Sequence, residues 1–474
     1  MSNKISVDIC IIGAGSGGLS VAAGASQMGA KVALIEKGEM GGDCLNSGCV
    51  PSKALLAAAH AAQNMRDAGR FGIQTVEPEV DWSAVHGHVH EVIKSIAPND
   101  SQERFEGLGV TVVRAAASFI NERTVLAGDY EVRAKYFVLA TGSSPFVPPI
   151  EGLDKVSYFT NENIFANRDP VRHLIVIGGG PIGIEMAQAY RRLGARVTVM
   201  EMARLLMKDD PELSKVVIRK LTDEGVEFHE GCRNLRLEKQ DDGGIAALCE
   251  TDAGAQCVSG SHLLIATGRR ANVKGLNLDA AAVSYSPHGV EVDTRLRTSN
   301  RRIFAIGDVA GPYQFTHMAA YQAGIVIRNM LFKLPARVNY SSVPWVTYSD
   351  PELAHVGMSE ADAIQAGREV RILRWSFTEN DRAQSERRTE GLIKVVTTAK
   401  GVILGASIVG LHAGELIQPW VLAITQKLKI GAMASMIAPY PTLAEANKRI
   451  AGSFFTDRLF SSATRRLVRL LLKF

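Results

Sequence analysis

The residues best suited to chemistry are two cysteines, Cys44 and Cys49, which stand with four residues between them inside the segment 41–53. Sulfurs this near in sequence can close a small ring, so a redox-active dithiol is the favoured interpretation. Half of a metal site and two unrelated buried thiols are the alternatives. No Cys-x-x-Cys motif or Cys/His cluster completes a zinc set around the pair. The pair therefore predicts redox chemistry without a metal.

The segment that follows the pair predicts an α-helix over residues 51–59. A helix N-terminus favours negative charge, so it would lower the pKa of a thiol located there. Residues 60–115 predict a long helical excursion. Three histidines alternate within it at His86, His88 and His90, and these do not share one helix face. They predict an exposed polar run rather than a metal site.

Two other segments carry the pattern of a dinucleotide-binding unit, and the first lies at residues 7–36. A buried strand is predicted over 7–12, a helix follows, and a second strand over 31–35 ends at Glu36. Glycines at the strand-to-helix turn let the backbone approach a pyrophosphate, and Glu36 would bind a ribose 2′-hydroxyl. The fingerprint glycines are Gly13, Gly15 and Gly18.

The second unit has a predicted strand over 173–177 and another over 196–200 that ends at Glu201. In both units the acid follows the first glycine by 23 positions, since 36 − 13 = 23 and 201 − 178 = 23. Both units also end in an Ala-Thr-Gly tripeptide. The chain therefore contains two dinucleotide-binding units of the same fold, and these predict two different bound dinucleotides. The glycines of this unit are Gly178, Gly180, Gly183 and, in the tripeptide, Gly268.

The acid of the second unit predicts which nicotinamide cofactor binds. Glu201 at the ribose position favours a 2′-hydroxyl over a 2′-phosphate, so NADH/NAD+ is expected rather than NADPH. Arg204, three positions later, is a basic residue that would favour the phosphate. The balance of these two residues predicts NADH.

Length and composition limit the class of protein. The chain has 474 residues, 46% of them hydrophobic and 22% charged, which is typical of a globular protein with about three domains. The net charge of +4 is small for this length and predicts no nucleic-acid partner. Residues 1–7 lack a signal peptide, and no apolar run of about 18 residues predicts a membrane span. A cytoplasmic location is therefore expected, where cysteine pairs are more often catalytic than structural.

The order of these motifs resembles the class I pyridine nucleotide-disulfide oxidoreductases over roughly residues 5–455. The segment 41–53 is similar almost letter for letter to the redox motif of dihydrolipoamide dehydrogenase and mercuric reductase. Residues 306–308 resemble the second FAD motif, in which Asp308 would meet the ribityl chain, and residues 349–352 resemble the start of the interface domain. The resemblance implies an α/β fold with two Rossmann-type dinucleotide-binding domains and an α+β dimerisation domain.

The resemblance also implies how the chain is divided and how electrons move. Electrons would pass from NADH through FAD to the Cys44–Cys49 disulfide and then to an acceptor, in an active site shared by the two chains of a homodimer. The implied domains are 1–150 for FAD, 151–271 for NAD, 272–338 completing the FAD domain, 339–453 for the interface and 454–474 as a tail.

Individual residues take their roles from the same resemblance. Cys49 would be the charge-transfer thiolate beside the flavin and Cys44 the interchange thiol that meets the substrate. Lys53 and Glu185 match an ion pair beside the flavin, although two ordinary helix-surface charges are the alternative. The implied FAD-binding residues are Gly13, Gly15, Gly18, Glu36, Gly42, Lys53, Thr141, Gly142, Ser143 and Asp308. The implied NAD-binding residues are Gly178, Gly180, Gly183, Glu201 and Gly268.

The chain departs from the family pattern near its end. Disulfide reductases of the family carry a histidine, held by a glutamate, where this chain has Tyr440 followed by Glu445. A phenol with a pKa of about 10 is a weaker base near neutrality than an imidazole. Tyrosine at this place resembles mercuric reductase, but no cysteine follows Cys257 to match that enzyme's terminal cysteine pair. The acceptor therefore stays open between a thiol or disulfide, including a thiol protein, and a metal ion.

The tail at 454–474 carries five basic residues and one acid, a charge of 5 − 1 = +4. Drawn as one helix, it places Phe455, Leu459, Ala463, Leu467, Leu471 and Phe474 on one side and the basic residues largely on the other. This pattern predicts either weak contact with an anionic membrane surface or a terminal helix packed on the dimer. The first alternative would place the protein peripherally at the inner face of the membrane.

Three functions remain compatible with the sequence: a thiol-disulfide or metal reductase, dihydrolipoamide dehydrogenase itself, and an electron-feeding or redox-sensing flavoprotein at the membrane face. The remaining cysteines are expected to be small buried hydrophobic residues without a role. They are Cys10, Cys232, Cys249 and Cys257.

Overall fold

The structure is a computed structural model that describes residues 3–474, and it confirms the predicted α/β class. The strands in chain order are β1 (Asn3–Ile12), β2 (Val32–Glu36), β3 (Thr111–Arg114), β4 (Ala117–Asn121), β5 (Thr124–Ala127), β6 (Tyr130–Leu139), β7 (Ser143–Pro145), β8 (His173–Ile177), β9 (Arg196–Met200), β10 (Val226–His229), β11 (Arg233–Lys239), β12 (Ile245–Thr251), β13 (Gly254–Gly260), β14 (His262–Ile265), β15 (Arg269–Ala271), β16 (Tyr285–Ser286), β17 (Gly289–Val290), β18 (Ile303–Ala305), β19 (Pro344–Thr347), β20 (Glu352–Gly357), β21 (Arg371–Ser376), β22 (Leu392–Thr397) and β23 (Ile403–Gly410).

The helices connect these strands and cover their faces. In chain order they are α1 (Ser16–Gln27), α2 (Gly42–Asn46), α3 (Cys49–Asp67), α4 (Trp82–Ile96), α5 (Gln102–Gly107), α6 (Pro181–Arg192), α7 (Pro211–Asp223), α8 (Thr316–Leu331), α9 (Glu360–Gln365), α10 (Asp381–Ser385), α11 (Ala413–Leu416), α12 (Gln418–Thr425), α13 (Ile430–Ser435), α14 (Glu445–Ser453), α15 (Thr456–Leu459) and α16 (Ser462–Leu471).

The first unit is built on a sheet in the order β3-β2-β1-β6-β5-β4. β1, β2, β3 and β6 pair in parallel, whereas β5 and β4 add an antiparallel edge. β18, far along the chain, pairs in parallel with the end of β6 and brings Asp308 to the same sheet edge as the first glycine loop. The carboxyl ends of parallel strands therefore converge where a dinucleotide binds in such folds.

The second unit repeats the parallel core in the order β10-β9-β8-β14 and adds a separate antiparallel sheet, β11-β12-β13. All five residues of β8 are buried, as a strand covered on both faces requires. α6 follows at once with Pro181 in its first turn and Gly180 before it, a typical helix start. The second glycine loop thus lies at the same place in its unit as the first.

The helix that begins at Cys49 packs directly on the second unit. Leu55 and Ala59 of α3 share one hydrophobic cluster with Ile184 and Ala187 of α6. This packing holds the start of α3 at the junction of the two units, which is where two bound dinucleotides would meet.

The last unit is the antiparallel sheet β19-β20-β23-β22-β21 with α11 to α14 packed against it. Trp420 is fully buried in its core, and the indole N–H donates to Asn447 Oδ1 at 2.7 Å. A buried indole needs such a partner, because an unpaired N–H would cost free energy. The unit therefore has a hydrophobic core of its own.

A buried lysine ties this last unit to the second one. Lys394 on β22 is surrounded by the carboxylates of three residues, with Nζ 2.7 Å from Asp210, 3.1 Å from Glu212 and 2.7 Å from Glu360. Asp210 also caps α7 by accepting from the Glu212 N–H. A charge this deeply buried is retained only when it is paired, so the junction depends on all four groups.

Three sequence predictions about the fold are wrong. The region 60–115 is not one helical excursion, because α3 and α4 are separated by an irregular segment over 72–81 and β3 begins at Thr111. Cys257 is exposed on β13 rather than buried, since the antiparallel sheet has a solvent face. The tail is not one helix, because Phe455 packs on the interface core and α16 starts afresh after Ser461.

No helix within residues 3–474 has the length and apolar character that crossing a bilayer demands. Within the same residues no group of three or more histidine, cysteine or acidic side chains is arranged to hold a metal ion. The domain limits predicted from sequence stay a prediction.

Candidate active site

A single large cleft joins the two glycine loops and the cysteine pair. Its volume is about 2440 Å³, and both Cys44 and Cys49 line it together with Gly15 of the first loop and Gly180 of the second. The volume exceeds that of an ordinary single-ligand pocket. The cleft therefore has space for two dinucleotides that meet near the sulfurs.

The two cysteines occupy different helices with a sharp turn between them. Cys44 lies in the short α2, and Cys49 is the first residue of α3. A Cβ at Gly48 would stand 2.9 Å from the Asp43 carbonyl oxygen, so only glycine fits this turn. Helix α3 thus begins two residues earlier than predicted and includes the second sulfur.

The surroundings polarise the pair. A hydrogen bond from Cys44 lowers the pKa of Cys49 to about 6, and the Thr316 hydroxyl and the Lys53 ammonium act in the same direction against the effect of burial. The hydrogen bond to Cys49, together with burial, raises the pKa of Cys44. At neutral pH the reduced pair is one thiolate and one thiol, the state in which a dithiol is reactive.

Thr316 opens helix α8, and its Oγ1 lies 3.4 Å from Cys49 Sγ. The two residues are 267 positions apart, and no motif in the sequence indicates that they touch. Sequence reasoning therefore missed Thr316.

The predicted ion pair between Lys53 and Glu185 is present in the structure. Lys53 Nζ lies 2.7 Å from Glu185 Oε2, and the Glu185 side chain is only 6% exposed. Tyr348, also missed from sequence, holds the pair from the other side. Its backbone N–H donates to Glu185 Oε1 at 3.0 Å, and its ring centroid lies 4.3 Å from Lys53 Nζ. These contacts fix a cation at the wall of the cleft, which an ordinary surface pair would not do.

The first glycine loop has the shape that a pyrophosphate needs. A Cβ at Gly18 would stand 1.8 Å from the Gly13 carbonyl oxygen, so helix and strand approach closely only because Gly18 has none. At Gly15 the added carbon would meet only the Gly42 Cα at 4.0 Å and would project into open space. That open space lies at the N-terminus of α1, where backbone N–H groups attract an anion. The first loop therefore fits the pyrophosphate of a dinucleotide.

The second loop repeats this geometry. A Cβ at Gly183 would stand 2.0 Å from the Gly178 carbonyl oxygen, and at Gly180 it would meet nothing within 4 Å. Both predicted ribose acids stand at their loops: Glu36 Oε2 accepts from the Ala14 N–H and Glu201 Oε2 from the Gly179 N–H, each at 2.6 Å. The second loop therefore fits the pyrophosphate of a second dinucleotide.

A polar network connects the second FAD motif to the cysteine loop. Ser143 Oγ donates to Asp308 Oδ2 at 2.6 Å, and Arg269 donates to Ser143 Oγ at 2.7 Å. The same guanidinium lies 3.2 Å from Asp43 Oδ2, next to Cys44. Burial raises the pKa of Asp308. Arg269 was not predicted, because its partners come from three distant segments of the chain.

The remaining predicted residues divide into two groups. Thr141, Gly142 and Gly268 line the cleft, although the Thr141 hydroxyl donates to the Asn272 carbonyl oxygen at 2.8 Å. Tyr440 and Glu445 do not line it within one chain. The Tyr440 side chain is exposed and donates from its hydroxyl to Asp381 Oδ2 at 2.9 Å, and Glu445 pairs with Arg449 at 2.7 Å.

Comparison with known proteins places this geometry among its relatives. Residues 7–323 match the family described as pyridine nucleotide-disulphide oxidoreductase, and residues 343–451 match its dimerisation domain. The chain is 36% identical to mercuric reductase of Streptomyces lividans over 95% of this chain and 96% of that protein. It is 32% identical to dihydrolipoyl dehydrogenase of Bacillus subtilis (strain 168) over 92% of this chain and 96% of that protein.

Solved structures agree on the fold. The HOCl-induced flavoprotein disulfide reductase RclA from Escherichia coli, in its Cu(II) complex, superimposes with a TM-score of 0.84 over 94% of this chain and 99% of that chain. The sequence identity is 24%, so this likeness concerns the fold alone.

Proposed function

Because the chain belongs to the pyridine nucleotide-disulphide oxidoreductase family, we propose a specific electron path for it. The chain is an FAD-dependent NAD(P)H disulfide oxidoreductase. In the proposed path, NADH is the donor, Cys44 and Cys49 carry the electrons, and a soft metal ion such as Hg2+ accepts them. The polarised cysteine pair is the observation that carries this proposal.

FAD, when bound, accepts a hydride from the nicotinamide and passes two electrons to a neighbouring disulfide. The Cys44–Cys49 disulfide takes up two electrons and one proton, which leaves Cys44 as a thiol and Cys49 as a thiolate. Thiolates are the ligands that soft metal ions prefer, so the reduced pair binds Hg2+ and Cys44 releases its proton. Lys53, fixed by Glu185 and Tyr348, holds positive charge at the wall where negative charge collects.

Tyr440 favours a metal ion over a disulfide such as lipoamide as the electron acceptor. Reduction of a disulfide needs an acid that protonates the leaving thiolate near neutral pH, and the reverse oxidation of the dithiol needs the conjugate base. The hydrogen bond to Asp381 raises the pKa of Tyr440 above its usual value, so its phenol holds its proton and is a weak acid as well as a weak base. A metal ion as acceptor needs neither. The relatives named mercuric reductase support the same choice.

NADH is favoured over NADPH by the side chains around Glu201. The Glu201 carboxylate would repel a 2′-phosphate at the ribose. Arg204 is occupied elsewhere, because its guanidinium donates to Ser214 Oγ at 3.0 Å, to the Met207 carbonyl at 2.9 Å and to the Asp209 carbonyl at 3.0 Å. Initial rates with the two cofactors test this: NADH should give the higher kcat/KM, and Glu201→Gln should narrow the difference.

The match to the dimerisation domain supports a homodimer. In the proposed assembly Tyr440 and Glu445 act across the interface, since within one chain they lie outside the cleft. Sedimentation of the purified protein should give twice the chain mass of 51.1 kDa.

The test of the acceptor is an anaerobic titration of the FAD-loaded protein with NADH, followed by absorbance. A long-wavelength band after two electrons would support a Cys49 thiolate beside oxidised flavin. Hg2+ should then discharge the band rapidly, whereas lipoamide should do so slowly. Tyr440→His is the matched variant, and it should accelerate the reaction with lipoamide, whereas Tyr440→Phe should not. Fast lipoamide turnover by the unmodified protein would overturn the choice of a metal ion.

We also propose that α16 lies on an anionic membrane surface. Its apolar side chains Leu467, Leu470 and Leu471 are each more than half exposed on one face. The opposite face carries arginines 465, 466 and 469. An exposed helix with separate apolar and cationic faces is the pattern of interfacial binding.

Flotation with vesicles of anionic or zwitterionic phospholipid tests this second proposal. The full chain should float with the anionic vesicles only, and both a chain ending at Ser461 and the variant Arg465→Glu/Arg469→Glu should remain unbound. If the shortened chain floats equally well, α16 is not the membrane contact and the proposal fails. If the shortened chain loses the dimer instead, α16 packs on protein and the proposal fails as well.

A further inference from the structure

Two cysteines outside the cleft lie close enough to react with each other. Cys232 stands between β10 and β11 and Cys249 lies on β12, and their Sγ atoms are 3.0 Å apart. The two residues are 1% and 4% exposed, within the hydrophobic cluster of the second unit. We call Cys232 and Cys249 the buried pair. Disulfide sulfurs are about 2.05 Å apart, so bond formation needs a movement of only about 1 Å.

The buried pair supports the loop that carries Glu201. The Cys232 N–H donates to the Glu201 carbonyl oxygen at 3.0 Å. Two residues earlier, Glu230 Oε1 accepts from the Leu205 N–H at 2.7 Å. The segment that contains Cys232 therefore supports residues 201–205, of which residues 201–204 line the nucleotide side of the cleft. A covalent bond between Cys232 and Cys249 would fix this segment to β12.

We propose that the buried pair is a second redox site, in which Cys232 and Cys249 form a reversible disulfide that fixes the support of the Glu201 loop. The oxidant is a small neutral peroxide, which enters this enclosed site more readily than a larger disulfide does. The site is separate from the Cys44–Cys49 pair and takes no part in electron transfer from the nicotinamide.

The step balances with hydrogen peroxide. One sulfur attacks a peroxide oxygen, the O–O bond breaks, and the products are a sulfenic acid and one water. The second sulfur then attacks the sulfenic sulfur, the S–S bond forms, and the hydroxyl leaves as a second water. Burial raises the pKa of Cys232 to about 12, so its thiolate is scarce at neutral pH and attack by this sulfur is slow. A thiol reductant reverses the reaction by exchange.

The experiment counts free thiols in the FAD-loaded protein after treatment with hydrogen peroxide. The chain has six cysteines, so after denaturation in N-ethylmaleimide the reduced protein takes six adducts. Oxidation at Cys44–Cys49 alone leaves 6 − 2 = 4 adducts, and oxidation of the buried pair as well leaves 4 − 2 = 2. We expect four adducts at low peroxide, two at higher peroxide, and a peptide that links Cys232 to Cys249.

Hydrogen exchange measures the effect on the nucleotide loop. Amides of residues 201–206 should exchange more slowly after the second oxidation, and dithiothreitol should restore the original rate. Cys249→Ser has five cysteines, so it should keep 5 − 2 = 3 adducts at high peroxide and show no slowing. Cys257→Ser is the matched control, because Cys257 is exposed on the neighbouring strand. It should still form the cross-linked peptide and show the slowing.

Several results would overturn the proposal. Four adducts at high peroxide in the unmodified protein, with Cys232 and Cys249 both alkylated, would show that the bond does not form. A cross-link from either cysteine to Cys257 would show that unfolding preceded oxidation. A bond without any change in exchange at 201–206 would remove the link to the nucleotide loop. Even if Cys249→Ser does not fold, the thiol counts on the unmodified protein decide whether the bond between Cys232 and Cys249 forms.

Discussion

The redox pair, Cys44 and Cys49, and the buried pair, Cys232 and Cys249, are both close dithiols in very different surroundings. The redox pair lines a cleft and has a hydroxyl, an ammonium and a helix N-terminus around it. The buried pair is enclosed by apolar side chains. Proximity of sulfurs therefore does not determine reactivity, because only the redox pair is polarised into a thiolate and a thiol.

Replacement of one sulfur should separate the two pairs most clearly. Cys44→Ser should lower the rate of NADH-dependent Hg2+ reduction by about a thousandfold or more, because the interchange sulfur is lost. Cys249→Ser should leave that rate within about twofold, since the buried pair lies outside the electron path. Steady-state NADH oxidation with Hg2+ measures both. Equal losses in the two variants would mean that the pairs are functionally coupled.

Alkylation at different pH values should distinguish the pairs next. With the pKa of Cys49 lowered to about 6, its alkylation by iodoacetamide should rise tenfold per pH unit below pH 6 and level off above it, because the thiolate reacts and the thiol does not. The buried pair should stay unmodified over the same range. Peptide mass spectrometry of the reduced protein gives both profiles. A Cys49 profile that still rises at pH 8 would contradict the polarised pair.

Removal of the Thr316 hydroxyl should shift the Cys49 profile without stopping the chemistry. A hydrogen bond contributes about 0.5–1.5 kcal/mol, so Thr316→Val should raise the pKa of Cys49 by up to about one unit. Thr316→Ser restores the hydroxyl and should restore the profile. If valine and serine give the same pKa, Thr316 acts only by packing.

Removal of the lysine charge should have the smallest effect on the same pKa. Lys53→Met combined with Glu185→Gln avoids an unpaired buried carboxylate. Solvent screens a side chain that is 36% exposed, so the pKa of Cys49 should rise by only about half a unit. The alkylation profile measures it. If the pKa of Cys49 rises more in this double variant than in Thr316→Val, the lysine charge contributes more than the Thr316 hydroxyl and the expected order is wrong.

Much of the fold follows from local patterns in the sequence. The strands at 173–177 and 196–200 begin and end where periodicity and glycines predict. The two glycine loops are equally local, since strand, turn and helix are consecutive. The Lys53–Glu185 contact was reached only through family resemblance, because it joins helices 132 residues apart.

The rest of the site depends on tertiary contacts that no local pattern records. Arg269 follows the second Ala-Thr-Gly tripeptide and Tyr348 precedes the segment 349–352, but neither motif indicates a partner. Only folding brings these residues and Thr316 to the redox site. The buried pair is hidden for the same reason. Cys232 and Cys249 are 17 residues apart and meet only because β11 and β12 form a hairpin.

The lysine enclosed by three carboxylates has a consequence for protein engineering. A chimera that replaces the second unit with a nucleotide-binding unit of another protein would remove Asp210 and Glu212 and leave the Lys394 ammonium buried beside Glu360 alone. An underpaired internal charge costs several kcal/mol. Cofactor preference is therefore better altered by point substitutions at Glu201 than by exchange of whole segments, unless Lys394 is replaced in the same design.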